Sequence, residues 1–192
     1  MSKTIYVLDR DEEKEYHYNI TEDTVIYHFS INSGGKVDIH LVTEGVSLYY
    51  YYNNINYSEH TFTIDVVHDK SHTHSEVFNH GVNVGSDSLT YYVNGIVPKT
   101  SFKCICNQEN QILNLKDGKS TIWPNLLIDN YDVDSNHGAY IGKFNEEKIF
   151  YMMSRGLSYE EANRLLLNGF LLNSDSIDLN QISDFVEEIE KI

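Results

Sequence analysis

Short runs of Val, Ile, Thr and Tyr, separated by Gly, Asn, Asp and Ser, extend from residue 4 to about residue 128 of this 192-residue chain. β-Branched and aromatic residues favour strands, and the separating residues favour turns. The predicted strands span residues 24–31, 37–43, 46–52, 61–67, 76–84, 88–97, 102–106 and 120–128. Strands at this spacing form sandwiches, barrels or β-solenoids, and since no exact short repeat is present, the three alternatives stay open.

One of these runs shows how a strand divides its residues between two faces. Val37, Ile39 and Leu41 alternate with Asp38 and His40. Because successive strand residues point to opposite sides of a sheet, the three apolar residues are predicted on one face and the two polar residues on the other.

Beyond Phe144 the sequence changes from strand-like to helical spacing. Asn145 is a predicted N-cap, followed by Glu146 and Glu147 in the first turn, where acidic side chains interact favourably with the helix dipole. Gly156 is predicted to end this helix, because glycine readily adopts the left-handed conformation that follows a helix.

Two further helices are predicted near the carboxyl end. Ser158 and Glu161 have the spacing of a capping box, which predicts a second helix start. The residues predicted to share one face of this helix are Ala162, Leu165, Leu166 and Phe170. A third helix is predicted from the helical spacing of Ile182, Phe185, Val186 and Ile189. We therefore predict a β core over residues 1–144 and a helical region over residues 145–192, packed as one compact unit.

The charge of the chain argues against two classes of partner. The formal net charge is −15 at pH 7, from 29 acidic and 14 basic residues. An acidic surface repels phosphate backbones and anionic lipids, so neither nucleic acid nor membrane is expected to bind. No signal peptide and no stretch of roughly 20 apolar residues is seen, which predicts a cytoplasmic protein. The only cysteines, Cys104 and Cys106, are expected to remain free thiols there.

Histidines and cysteines supply the candidate metal ligands. His72 and His74 form an H-x-H on a predicted strand, with Glu76 beyond them, as at the start of a metal site in a cupin-like β-barrel enzyme. Polar rows on a solvated sheet face are the alternative, which we favour. Cys104 and Cys106 share a strand face as weak candidates for thiolate ligands, although buried free cysteines usually pack as small apolar groups.

Motifs for nucleophilic catalysis and for phosphate binding are absent from the sequence. Neither G-x-S-x-G nor G-x-x-x-x-G-K-[ST] occurs. We therefore predict that the chain is not an enzyme, has no catalytic residues and binds no nucleotide itself.

One histidine stands apart from the others, in the stretch YDVDSNHGAYIGKF at residues 131–144. His137 follows Asp132 and Asp134 and precedes Gly138 and Ala139. Two interpretations are open at this point. The stretch is a turn that contains a histidine, or it is a rigid backbone segment that presents a metal ligand.

A set of short motifs follows in order around this histidine: L-x-I after a proline, D-V-x-x-x-H-G-A, F-Y, S-R-G and G-F. They fall at Pro124, Leu126, Ile128, Asp132, Val133, His137, Gly138, Ala139, Gly142, Phe150, Tyr151, Ser154, Arg155, Gly156, Ala162, Gly169 and Phe170. Upstream, His68, Ser75, Gly81, Val82 and Gly95 fit the same pattern. Over about residues 67–172 the chain resembles the SufB/SufD family of scaffold proteins in iron–sulfur cluster assembly, and within it the SufD-like form.

This resemblance implies a right-handed parallel β-helix that dimerises, with itself or with a SufB-like relative. It implies that His137 is a candidate ligand for a transient iron–sulfur cluster at the dimer interface. At positions where relatives carry cysteine or glutamate ligands, this chain has Ser135, Gly118 and Gly138.

The resemblance also implies a partner, a SufC-like ABC-type ATPase that docks on the carboxyl-terminal helices. The candidate contacts are Phe150, Tyr151, Arg155, Gly156, Leu166 and Phe170. Two alternatives remain: a cupin-like metal-dependent enzyme that uses His72, His74 and Glu76, and a structural ATPase-binding dimer that carries no cluster.

Overall fold

Eleven strands wind into two parallel sheets in the computed structural model, which describes residues 2–172, 174 and 176–192. The strands are β1 (Lys3–Arg10), β2 (Glu13–Ile20), β3 (Thr24–Ile31), β4 (Gly34–Leu41), β5 (Ser47–Asn56), β6 (His60–Val67), β7 (His74–Asn83), β8 (Ser88–Val97), β9 (Cys104–Asn114), β10 (Lys119–Ile128) and β11 (Val133–Gly142). Odd-numbered strands form one sheet, which we call sheet A, and even-numbered strands form the other, sheet B. Because the chain alternates between sheets and every pairing is parallel, the fold is a β-solenoid, as predicted.

The length of one solenoid turn varies along the chain. In sheet A, Lys3 lies beside Thr24, a step of 21 residues, whereas Ser75 lies beside Cys106, a step of 31 residues. The connecting loops absorb the difference, so equivalent residues do not recur at a constant interval. This explains why the sequence shows strands but no exact repeat.

The predicted strand faces are confirmed inside the solenoid. Val37, Ile39 and Leu41 are fully buried between the sheets, where Tyr50 and Tyr52 pack with them. Asp38 and His40 lie on the outer face of sheet B and are only partly buried. The alternation of the sequence therefore identifies the core side of this strand correctly.

A strand replaces the turn that was one interpretation of residues 131–144. β11 pairs with β9 along its whole length, and Asp134, Asn136 and Gly138 lie within it. Asp, Asn and Gly have low intrinsic preference for strands. Pairing with a neighbouring strand outweighs that preference here, which sequence alone does not reveal.

The helical predictions are confirmed at their caps. Helix α1 (Glu146–Ser154) begins after Asn145, whose side chain accepts a hydrogen bond from the Glu147 amide. Helix α2 (Tyr159–Leu171) begins with a complete capping box between Ser158 and Glu161. A 3-10 turn (Leu179–Ile182) leads into helix α3 (Ser183–Ile189). Among the described residues, no helix combines the length and the apolar character that a bilayer crossing demands.

Helices α2 and α3 cover the outer face of sheet A. Phe185 of α3 packs on Phe29 with their ring centroids 4.9 Å apart. On the predicted face of α2, Leu165 is 54% exposed, whereas Leu167, outside that face, is buried. Helical spacing allows several overlapping faces, and contact with the sheet selects the one that includes Leu167.

The first turn of the solenoid has a buried polar network in its interior. Nε2–H of the fully buried His28 donates to Asp9 over 2.8 Å, and the Tyr50 hydroxyl lies 2.7 Å from Nδ1. The Tyr16 hydroxyl also donates to Asp9, over 2.6 Å. Burial alone would raise the pKa of Asp9, but the hydrogen bonds from His28 and Tyr16 and the charge of Lys14 lower it. The carboxylate is therefore retained as an anion with its acceptor sites satisfied.

Candidate functional site

The last turn of the solenoid is open at its outer side. β10 and β11 each form the edge of their sheet, so among the described residues each pairs with one strand only. Their unpaired edges present backbone N–H and C=O groups to the surroundings, and such edges readily pair with another chain. This end of the molecule is the first component of the candidate site.

His137 lies at this open end, on the strand row that points into the solenoid. It is beside Gln108 of β9, and Ser135 is beside Cys106. Gln108 and Cys106 face the interior and are buried. His137 continues this inward row, but no further described turn covers it, and it is exposed. The imidazole is consequently accessible while its backbone belongs to a regular strand.

Amide side chains beneath His137 hold the last turn in place. Asn110 donates to the carbonyl oxygen of Gly138 over 3.1 Å and accepts from Asn79 over 2.6 Å. Gln108 donates to the carbonyl oxygen of Asn125 in β10 over 2.9 Å. These bonds connect both edge strands to the turn below. These three amides were not predicted from the sequence, because their only signal is an inward position on strands whose register the sequence does not show.

The two cysteines lie one turn deeper than His137 and are buried. Burial raises the pKa of Cys106 to about 11. Cys104 Sγ lies 3.5 Å from the Thr73 hydroxyl and packs near Val97. Because the thiolate is the form that binds metal, a protonated buried thiol is a poor ligand as the chain stands. A ligand role for Cys104 and Cys106 remains a prediction, and packing accounts for their observed positions.

A buried histidine is hydrogen-bonded on both sides of its ring next to these cysteines. His68 Nδ1 lies 2.7 Å from Thr73 Oγ1, which itself donates to the Lys70 carbonyl, so the imidazole donates at this atom. Nε2 therefore accepts from Ser75 over 2.9 Å. Burial lowers the pKa of His68 to about 4, which keeps it neutral near pH 7. Both ring nitrogens of His68 form hydrogen bonds, so this side chain positions Thr73 and Ser75 in the interior.

The cupin-like metal site is not formed. His72 lies in a turn with φ of +60°, before β7 begins at His74, so the two residues are not on one strand face. His74 Nε2 instead pairs with Glu76 over 2.7 Å. Among the described residues, no three His, Cys, Asp or Glu side chains are gathered so that they could hold a metal ion. The parallel solenoid also excludes the barrel on which this alternative depended.

The predicted docking residues divide into exposed and packed groups. Phe150 and Tyr151 of α1 are 74% and 58% exposed. The Arg155 guanidinium lies over the Tyr151 ring, 5.2 Å from its centroid, and Gly156 ends the helix with φ of +101°. Leu166 is half-buried.

Phe170 belongs to the packed group. It is partly buried, and its ring stacks on His80 with the centroids 4.7 Å apart. His80 Nδ1–H donates to the Phe170 carbonyl over 3.0 Å, which attaches the end of α2 to sheet A. Among the predicted docking residues, the exposed aromatic side chains are therefore the two on α1, Phe150 and Tyr151.

Together these features define a parallel β-solenoid with an open final turn, an accessible histidine at that turn, and a helical appendage with exposed aromatic residues. The family model described as the SUF system FeS cluster assembly SufBD core domain matches residues 12–170. The chain belongs to the SufBD family of iron–sulfur cluster assembly proteins, as the motifs around His137 predicted.

Individual relatives support this family membership. The chain is 33% identical over 111 residues to the iron–sulfur cluster assembly protein SufD of Bacillus subtilis (strain 168), covering 57% of this chain and 25% of that protein. It is 28% identical over 114 residues to SufB of the same organism, covering 55% of this chain and 23% of that protein. A SufBD family protein of Pyrococcus horikoshii is 40% identical over 70 residues, 36% of this chain and 15% of the relative. The chain thus spans about a quarter or less of the length of these relatives.

Proposed function

We propose that the chain acts as a SufD-like scaffold component of iron–sulfur cluster assembly and is not itself an enzyme. The observation that carries the proposal is the open last turn, which leaves His137 accessible on a strand that pairs with β9 along its whole length. The proposed place of action is the cytoplasm, where the free thiols of Cys104 and Cys106 stay reduced.

The proposed dimer joins two chains at this open end. The unpaired edges of β10 and β11 supply backbone hydrogen-bonding groups, and Ile141 and Leu127 are exposed apolar side chains on these strands. The partner is a second copy or a SufB-like relative. Docking there would bury the inward row of β11, including His137, between the two chains.

In this proposal a transient iron–sulfur cluster is the cargo of the dimer. Imidazole is an established ligand of iron in clusters, and His137 is the accessible candidate. Because Cys104 and Cys106 are buried, the remaining ligands would come from the partner chain. No nucleotide is bound by this chain in the proposal.

The ABC-type ATPase partner is proposed to dock on the helical appendage. Phe150, Tyr151 and Met153 are exposed on α1, and Leu165 is exposed on α2. Exposed apolar patches of this kind mark protein interaction surfaces. The ATPase would supply the nucleotide chemistry that this chain does not carry.

Anaerobic reconstitution with iron and sulfide tests the cluster role. The wild-type chain, alone and mixed with its SufB-like relative, is compared with His137→Ala and with the control His17→Ala, which changes an exposed histidine far from the open end. We expect cluster absorption that His137→Ala reduces and His17→Ala does not. Equal absorption in both variants, or none in any sample, would remove the ligand role.

Light scattering of the same samples tests the dimer, and co-purification with the added ATPase tests docking. Dimers and ATPase co-purification without iron incorporation would favour the structural alternative, a dimer that binds the ATPase and carries no cluster. Monomers in every mixture would contradict the dimer proposal.

A further inference from the structure

A groove of about 750 Å³ separates the end of sheet A from helices α1 and α2. Leu113 and Tyr140 form part of its floor on β9 and β11, and Leu166 and Phe170 form a wall on α2. Its volume is within the range of ordinary binding clefts. The exposed Leu165 lies at the groove, so the groove is continuous with the apolar surface of the appendage.

The charges at this groove differ from those of the chain as a whole. The chain has 29 acidic and 14 basic residues, yet none of the twelve lining residues is acidic and two are lysines, Lys143 and Lys148. Neither lysine forms an ion pair with a described residue. An apolar groove with cationic groups at its edge is complementary to a ligand that is apolar at its centre and anionic around it.

A glycine within α2 adds an independent observation. Gly169 lines the groove in the last part of the helix. Apart from its two chain neighbours and its own helix backbone, no heavy atom of the described residues lies within 4 Å of the position that a Cβ would occupy. Glycine destabilises a helix interior. Since no packed neighbour requires a residue without a side chain here, packing within the chain does not explain the glycine at position 169. Its absent side chain leaves helix backbone open to close approach by another molecule.

We propose that this groove receives a segment of the docking partner that carries an apolar side chain flanked by carboxylates. The inference rests on the proposed function, in which the partner is the ABC-type ATPase. The apolar side chain lies over Gly169 between Leu166 and Tyr140, and the carboxylates pair with Lys143 and Lys148. A protein segment is favoured over a small ligand because the groove opens onto the exposed apolar surface of the helices.

Binding of the purified ATPase to the full chain tests the proposal. Lys143→Glu with Lys148→Glu is expected to weaken binding at least about tenfold and to reduce its salt dependence, since exposed charge pairs are screened by salt. Lys70→Glu with Lys99→Glu is the control, because it changes net charge equally at exposed sites outside the groove. We expect the control to bind like the wild type.

Gly169→Ala separates binding from folding. Alanine favours the helix, so the thermal midpoint is expected to rise while ATPase affinity falls by at least about threefold.

If the wild type binds the ATPase and neither the lysine nor the glycine changes weaken binding, the proposed role of the groove is wrong, but ATPase docking on the chain is retained. Absence of wild-type binding would overturn both. If these variants change the oligomeric state of the chain and leave its ATPase affinity unchanged, the groove binds a second copy of this chain, and the proposal is wrong.

Discussion

The two ends of the solenoid differ in how their interiors are filled. At the first turn, Asp9 and the fully buried His28 form a hydrogen-bonded pair enclosed by tyrosines. At the last turn, the inward row that contains Ser135 and His137 has no further described turn over it. One winding pattern thus yields a buried polar network, the plug, at one end and an open turn with an accessible histidine at the other.

The edge strands at the two ends of the solenoid also differ in the side chains that they expose. The outer positions of β2 include Glu13 and Glu15, which are exposed charged residues on an edge strand. Charged side chains at a sheet edge disfavour pairing with other chains. β11 instead has a single carboxylate, Asp134, and has Gly138 and Ala139 beside the histidine. Pairing with another chain is consequently expected at the last turn.

The largest expected effect is on the plug. Asp9→Ala removes the acceptor of His28 and Tyr16 in a buried site, which should lower the free energy of unfolding by about 4 kcal/mol. Asp132→Ala at the exposed, open end is the control, with a change of about 0.5 kcal/mol or less. Urea unfolding measures both. Equal losses of unfolding free energy in the two variants would contradict the difference between the buried first turn and the open last turn.

The second-largest effect is expected from acid, which should destabilise the interior. Burial lowers the pKa values of His28, His68 and His80, so below pH 6.5 the unfolded chain binds protons that the folded chain does not. Stability is therefore lost as pH falls, and His68, with its pKa lowered to about 4, accounts for about 3 kcal/mol of the loss by pH 4. Asp9, whose pKa is also lowered, loses its contribution as pH falls further.

Thermal midpoints between pH 8 and pH 4 check this dependence. His68→Asn should be less stable at neutral pH and should show a shallower loss in acid. An unchanged slope in this variant would assign the acid sensitivity to other groups.

A smaller effect is expected where α3 is attached to the first turn. Glu188 accepts from Arg10 over 3.2 Å, from Tyr57 over 2.9 Å and from Lys191 over 2.9 Å. Glu188→Ala leaves the Tyr57 hydroxyl without this acceptor and should cost about 2 kcal/mol in unfolding free energy. Glu187→Ala, an exposed neighbour, should change it by about 0.5 kcal/mol or less. Similar losses in both variants would show that the attachment contributes little.

The smallest effect on stability is expected at the open end. Ala139→Lys places a charge on the exposed inward row of β11 and should change the unfolding free energy by about 0.5 kcal/mol or less. It should nevertheless abolish the proposed dimer, because the lysine would be buried without a partner. Glu15→Lys on β2 is the matched change at the other end. Light scattering that finds dimers of Ala139→Lys would move the interface elsewhere.

Local sequence patterns predicted most of the secondary structure. The alternation of Val37, Ile39 and Leu41, the Asn145 cap and the Ser158 capping box were all confirmed. Each involves residues only a few positions apart in the chain, so composition and spacing are sufficient to recognise it. The motifs around His137 likewise predicted the family and the solenoid.

Contacts between turns could not be predicted in this way. Asp9 and His28 are 19 residues apart, and Asn79 and Asn110 are 31 apart, with intervals that match no constant repeat. Strand β11 was missed because pairing with β9 outweighs its poor local preference. His72 and His74 were placed on one face, although a turn separates them.

The sequence by itself therefore determined most of the strands, the helix caps, the family and the presence of a lone histidine in its motif. Only the tertiary structure decided that this histidine is exposed at an open turn while both cysteines are buried beneath it. The physical reason is that strand and cap preferences act over a few residues. Burial of an inward-facing residue depends on whether another turn of the solenoid lies above it, which pairing between distant strands decides.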